Sequence, residues 1–215
     1  MSDDETPNDR AVTEAGARSS REDWLGLAIR LLVAEGIDHV KVQVMARQLG
    51  VSRSSFYWFF DSIRDLQDQM LDHWLRINTG PIIERALRPA ETIGKAVCNI
   101  FECWVDTTLF RPDLDIAVRV WGRHEPRVRG VLDEADRQRV DALTRMFMRY
   151  DYAAEEAYTR ARVLYYTQIG HFVLQVQESY PERLSHLRSY LLTFTGREPC
   201  DADMTALRRL SPAKV

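Results

Sequence analysis

Between residues 19 and 195 the apolar side chains of this 215-residue chain recur at three- and four-residue steps, and no stretch alternates convincingly with period two. An apolar face repeats every 3.6 residues on a helix and every two on a strand. The pattern therefore predicts an all-α fold. Trp24, Leu27, Ala28, Leu31 and Leu32 make the first stripe, opened by a capping-box pair, Ser19 and Glu22. Gly36 closes it, because a glycine enters the left-handed backbone of a helix end without steric cost. Val42, Met45, Ala46 and Leu49 make a second, short helix that Gly50 ends. Ser52 suits the N-cap of a third, and Ser62 that of a fourth carrying Leu66, Met70, Leu71, Trp74 and Leu75. Pro81 is expected to break or kink this last run. Residues 91–106, 113–123, 126 to about 150, 153–179 and 181 to about 195 read as further helices, with TTLFRPD a loop.

The stretch SRSSFYWFF sets five aromatics in a row, Phe56 to Phe60. No single buried face holds all of them, so at least one meets water or another molecule. Phe56 and Phe60 are expected to point inward and Phe59 at least partly so, with Tyr57 and Trp58 outward. The charge pattern says which partner. The chain carries 29 Lys and Arg against 32 Asp and Glu, near neutrality. Yet from His39 to Phe60 there is no acid, only Lys41, Arg47 and Arg53. A positive window in a balanced domain suits a small anionic contact surface.

The spacing of Met45-Ala46, Leu49-Gly50-Val51, Phe56 and Phe59 has a mechanical reading. Two helices cross steeply around a very short turn. Ala46 allows the close approach, Gly50 makes the turn, and Val51, Phe56 and Phe59 cover the apolar side. This is a helix-turn-helix over about 41–60, whose second helix presents its first half to the DNA major groove. Arg53, Ser54 and Ser55 stand where base contacts are made, and an arginine fork on guanine is the commonest of these. Tyr57 has a hydroxyl for a phosphate, and Trp58 a face for sugar or a thymine methyl.

Residues 21–75, above all AEGIDHVKVQVMARQLGVSRSSFYWFFDSIRDL, resemble the DNA-binding domain of TetR-family transcriptional regulators. Gly36, Met45-Ala46, Gly50-Val51-Ser52, Phe56-Tyr57, Phe60 and Leu66 stand at the family's positions. The rest of the chain is similar in architecture only. The resemblance implies a larger helical domain that binds an inducer and dimerises. Three departures affect contacts rather than fold. Lys41 stands where the family has a capping threonine; it reaches a phosphate but cannot cap. Ile63 replaces the usual lysine, which leaves any backbone charge to Arg64. Gln43 replaces a frequent arginine and favours adenine. The expected organisation is an acidic disordered tail over 1–18, a DNA-binding domain over 19–78, an effector-binding and dimerisation domain over 79–197, and a tail over 198–215.

Other classes find little support. The five histidines form no HExxH pair, and the chain has no Gly-rich phosphate loop and no GxSxG. Cys98, Cys103 and Cys200 have neither metal-ligand spacing nor an even-numbered disulfide pattern. An enzyme, a cofactor and a metal are accordingly not expected. No apolar run approaches the ~20 residues that span a membrane. The opening MSDDETPND has no apolar segment of a secretory signal, so a cytoplasmic protein is expected. A helical adaptor that has lost DNA binding is the alternative. ARVLYYTQIGHFVLQV is apolar nearly all round, which calls for a partner on its second side. A second copy is the simplest, and two recognition helices on one dimer read a palindromic operator. Trp74, Phe101, Trp104, Trp121 and Tyr166 are candidate walls of a pocket for an apolar or planar effector, with plain core packing as the other reading.

Overall fold

The computed structural model describes residues 19–208; the tail expected over 1–18 and residues 209–215 lie outside the described residues. Among the described residues all regular structure is helical. The chain divides into two compact units, Met1–Met70 and Leu71–Val215.

In the first unit, helix α1 spans Arg21–Glu35. Its cap is Ser20, one residue later than the sequence suggests. The Ser20 hydroxyl accepts the Asp23 N–H at 3.1 Å, and the Asp23 carboxylate accepts the Ser20 N–H at 2.8 Å. Ser19 is drawn away because its hydroxyl accepts the Trp24 indole N–H at 3.1 Å. Gly36 ends α1 at φ 88°, ψ 172°, a region that is essentially glycine's alone and not the left-handed helical one expected. Helix α2 spans Val42–Leu49 and stops at Gly50, which is left-handed at φ 68°, ψ 29°. The third segment is a 3₁₀ turn over Arg53–Trp58, where an α-helix was expected. Serine hydroxyls compete for the backbone there. Ser55 Oγ donates to the Ser52 carbonyl at 2.5 Å, while Ser52 Oγ is engaged with Ser54 Oγ at 2.8 Å and does not cap. Helix α3 spans Ile63–Trp74, and Ser62 caps it by accepting the Asp65 N–H at 3.1 Å. The core gathers Trp24, Leu27, Leu31, Met45, Phe56, Phe60 and Leu66, all buried. Phe56 meets Trp24 edge-on at 5.3 Å and stacks on Phe60 at 5.1 Å.

In the second unit, Pro81 does not break the helical run. A π turn over Leu75–Thr79 leads directly into α4, Gly80–Leu87. The cause is local. Proline has no N–H, and its ring clashes with the carbonyl four residues back, here Ile77. Widening the turn moves that carbonyl aside, and the Gly80 N–H bonds Leu75, five residues back. The helices that follow are α5 (Ile93–Val105), α6 (Pro112–Gly122), α7 (Pro126–Met148) and α8 (Ala154–Val173). α8 ends earlier than its apolar run. Gln175 takes φ 51°, and the Val176 and Gln175 N–H groups bond His171 and Phe172, which together make a Schellman stop. The expected helix over 181–195 is two, α9 (Tyr180–Ser185) and α10 (Leu187–Thr195), and α11 (Asp201–Arg208) forms where a tail was expected.

The core of this unit joins Val97, Ile100, Leu143, Phe147, Leu164 and Leu191. Through it runs a buried ionic cluster. Arg139, wholly buried, donates from Nη1 to Asp115 at 3.2 Å and to the Tyr165 hydroxyl at 2.8 Å. Its Nε and Nη2 both donate to the Thr79 hydroxyl, at 3.0 and 2.8 Å. Arg119 pairs with Asp115 at 2.8 Å and grips both oxygens of Asp136. Two arginines and two aspartates balance, and the Trp74 indole N–H adds a bond to Asp115 at 3.0 Å. Burial disfavours the Asp115 charge, but Arg139 and Arg119 outweigh it and hold the carboxyl below its ordinary range.

Candidate nucleic-acid interface

Two element starts build the site. α2 begins at Lys41, whose extended backbone serves as N-cap without a side-chain bond, as a lysine must. The 3₁₀ turn begins at Arg53. The left-handed Gly50 folds one back against the other, so Lys41, Gln43, Arg53, Ser54 and Tyr57 line one open cleft of about 540 Å³, floored by Val42. Lys41, Gln43, Arg53, Ser54 and Tyr57 are exposed. Among the described residues no acid lines the cleft that Lys41 and Arg53 share. That arrangement suits an anionic polymer whose edge carries acceptors.

Three further candidates fall outside this lining. Ser55 is half-buried and its hydroxyl is turned to its own backbone. Arg64 is exposed near the start of α3 and stands 3.9 Å from Asp68. Trp58 is 81% exposed, the extreme among the described large apolar residues, while Tyr57 is 60% exposed and Phe56 and Phe60 are buried. The aromatic run thus divides between core and surface. Val42, the first residue of α2, also lines the cleft and was not foreseen there.

The five aromatics proposed for a pocket are placed differently from one another. Trp74 and Trp121 are buried, and Trp74 is engaged with Asp115. Phe101 and Trp104 lie 4.9 Å apart, half-buried against the core. Tyr166 is 48% exposed on the outer side of α8. The buried cluster around Arg139 went unread in the sequence. Its signals are two, the i,i+4 pair Asp115 and Arg119 and the i,i+3 pair Asp136 and Arg139. Burial pushes the thiols of Cys98 and Cys103 up to about 12, which leaves them un-ionised. Among the described residues no group of metal-ligating side chains gathers, and no helix is long and apolar enough to cross a membrane.

Residues 25–70 match the family model of bacterial regulatory proteins of the tetR family. The match identifies a tetR-family N-terminal domain, of the type that DNA-binding transcriptional regulators carry. A comparison with curated proteins finds no match. Among solved structures, a transcriptional regulator of the TetR/AcrR family is similar at 15% identity and a TM-score of 0.48, over 87% of this chain and 94% of that one. A TetR variant from Acinetobacter baumannii AYE, in complex with minocycline, is similar at 16% identity and a TM-score of 0.43, over 89% of this chain and 98% of that one.

Proposed function

We propose that the chain is a transcriptional repressor that acts as a homodimer on a palindromic operator and leaves it on binding a small apolar or aromatic effector. The acid-free cleft of Lys41, Gln43, Arg53, Ser54 and Tyr57 carries the reading. Arg53 is the base reader, with Gln43 beside it on adenine and Ser54 and Ser55 in the same turn. Lys41, Tyr57 and Arg64 hold the phosphate backbone, and Trp58 packs on sugar or a thymine methyl. The dimer is supported by an unpartnered apolar side. Val163, Tyr166, Val173, Leu174 and Val176 near or on α8, and Tyr190 and Leu192 on α10, are each at least 38% exposed. Residues 19–78 serve DNA binding, and 79–197 serve the effector and the dimer.

The test is selection from a random duplex pool with the full chain, followed by binding of the selected and scrambled duplexes across a salt series. A regulator enriches a two-fold symmetric sequence, and its affinity falls steeply with salt. A chain that binds no duplex even at low salt is an adaptor instead.

A further inference from the structure

Within the second unit, two cysteines far apart along the chain share one neighbour. Cys98 lies on α5, and Cys200 immediately precedes α11. Asp203, in the first turn of α11, bonds both. Its carboxylate accepts the Cys200 N–H at 3.0 Å, and its backbone carbonyl accepts the Cys98 thiol at 3.8 Å. The first of these is the N3 half of a capping box, since the Cys200 carbonyl accepts the Met204 N–H at 3.2 Å and so opens α11. Asp203 is itself fixed on α5. It is 4% exposed, it takes the Thr92 hydroxyl, and a Cβ on Gly94 would meet its carboxylate. Gly94 and Cys98 stand one helical turn apart on the same face of α5. Asp203 therefore spans that turn, its carboxylate at Gly94 and its carbonyl at Cys98, and brings the start of α11 with it.

The two thiols stand in different settings. Cys200 is exposed and lines a cleft of about 280 Å³ with Thr92, Gly94, Tyr150 and Arg197. Cys98 is buried. Burial first, and then the charges of Asp203 and Cys200, push its thiol up to about 12, so it stays protonated while α11 is seated. An exposed cysteine that meets the oxidant, next to a sheltered one that resolves it, is the arrangement of thiol redox sites. Cys103 is the contrast. Five residues beyond Cys98, it points to another side of α5 and is buried with Ile82 and Phe110.

We propose that Cys200 and Cys98 form a redox site, in which a peroxide oxidises Cys200 and Cys98 then closes a disulfide that ties α11 to α5. The Cys200 sulfur attacks the O–O bond. One oxygen stays on sulfur as a sulfenic acid, and the other leaves with the thiol proton as water, or as an alcohol from an organic peroxide. The Cys98 sulfur then displaces the sulfenic oxygen, which departs with the Cys98 proton as water while the S–S bond forms. Both thiols are oxidised and the peroxide is reduced. Asp203 is the positioning residue, which sets Cys200 by Cys98 without reacting. The site lies wholly in the second unit and stands apart from the DNA-binding reading.

The test is a peptide map of the full chain, reduced, treated with hydrogen peroxide and digested without further reduction. One linked pair, Cys98 with Cys200, is expected in most chains, with Cys103 free. A disulfide needs Cα atoms within about 7 Å, so the link reports the docking of α11. No link, a link to Cys103, or a link between two copies overturns the site. In Cys98→Ser a dimedone adduct is expected on Cys200, the trapped sulfenic acid; an adduct on Cys98 in Cys200→Ser overturns the assignment of roles. Asp203→Ala is expected to lower the rate of linking about tenfold, as for one lost buried bond, while Cys200 still takes dimedone when Cys98 is Ser. Unchanged linking overturns the positioning role. Thr92→Val covers the case in which Asp203→Ala does not fold, because it removes only the hydroxyl on the Asp203 carboxylate, and it is expected to slow linking in the same direction.

Discussion

Arg53 and Arg64 are both exposed arginines, yet they stand in different settings. Arg53 opens the 3₁₀ turn inside the acid-free cleft; Arg64 stands outside it, beside Asp68. Arg53→Ala is expected to cost about 1–3 kcal/mol per half-site and to relax preference at one base pair. Arg64→Ala is expected to weaken all duplexes alike and to shallow the salt slope by about one unit. Titrations of selected and scrambled duplexes across a salt series separate the two, and an equal loss on both duplexes from Arg53→Ala would make it a phosphate ligand. A third residue acts through charge in the interior. Asp115 is 2% exposed and bonded to two arginines and an indole. Asp115→Asn is expected to cost about 3 kcal/mol, because it leaves buried arginines short of a partner. The folded carboxyl lies below its ordinary value of 3.8, so its stabilisation is present above that pH and is lost as pH falls through the lower folded value. Urea melts should therefore show the full gap between wild type and variant at neutral pH and a shrinking gap below 3.8. A gap that widens in acid would contradict this assignment.

Elements here are ended and joined by single residues. Gly50 and Gln175 stop α2 and α8 in left-handed conformations, and Pro81 widens a turn instead of ending a helix. α11 is attached in the same economical way. Asp203 is 4% exposed, takes the Thr92 hydroxyl at 2.5 Å and the Cys200 N–H at 3.0 Å, and offers its carbonyl to the Cys98 thiol at 3.8 Å. A Cβ built on Gly94 would occupy the space of the Asp203 carboxylate. Gly94→Ala is therefore expected to displace α11 from the first turn of α5 and uncover Cys98. Thiol alkylation in a Cys200→Ser background reads this out, since Cys200 is exposed and the other two thiols are buried. Cys98 should label many times faster in the variant while Cys103 stays slow. If both labels rise together, the variant has loosened the whole unit and α11 is not separately held.

At the scale of the whole molecule, the proposed dimer is open to direct measurement. The apolar side of α8 and α10 leaves Tyr166 48% exposed and Leu174 75% exposed, which is costly for a lone chain at about 25 cal/mol per Å² of apolar surface. Sedimentation at micromolar concentration is expected to give twice the 25.0 kDa chain mass. Gly170→Arg is the informative variant, because a Cβ at Gly170 meets open space within the chain. The substitution spares the fold of one copy and sets a charge against the second. It should shift the mass toward that of one chain with helicity unchanged. An unchanged dimer mass would move the interface elsewhere.

The amino-acid sequence by itself determined what depends on near neighbours. Helical periodicity, the turn at Gly50, and the division of Phe56 and Phe60 from Tyr57 and Trp58 are all set within a few residues, so they were legible before any coordinates. So were the cationic starts that make the cleft, because the short turn leaves them little choice of place. What only the tertiary structure decided depends on groups distant along the chain. Arg139 meets Thr79, 60 residues away, and Asp115 meets Trp74 across 41. The division of the run over 181–195 into α9 and α10, and the docking of α11 through Asp203 on Thr92, 111 residues apart, likewise leave no periodic trace. Periodicity reports which face is apolar, but it does not report which buried charge will find which partner; that is settled only when packing brings them together and removes the water that would otherwise have served both.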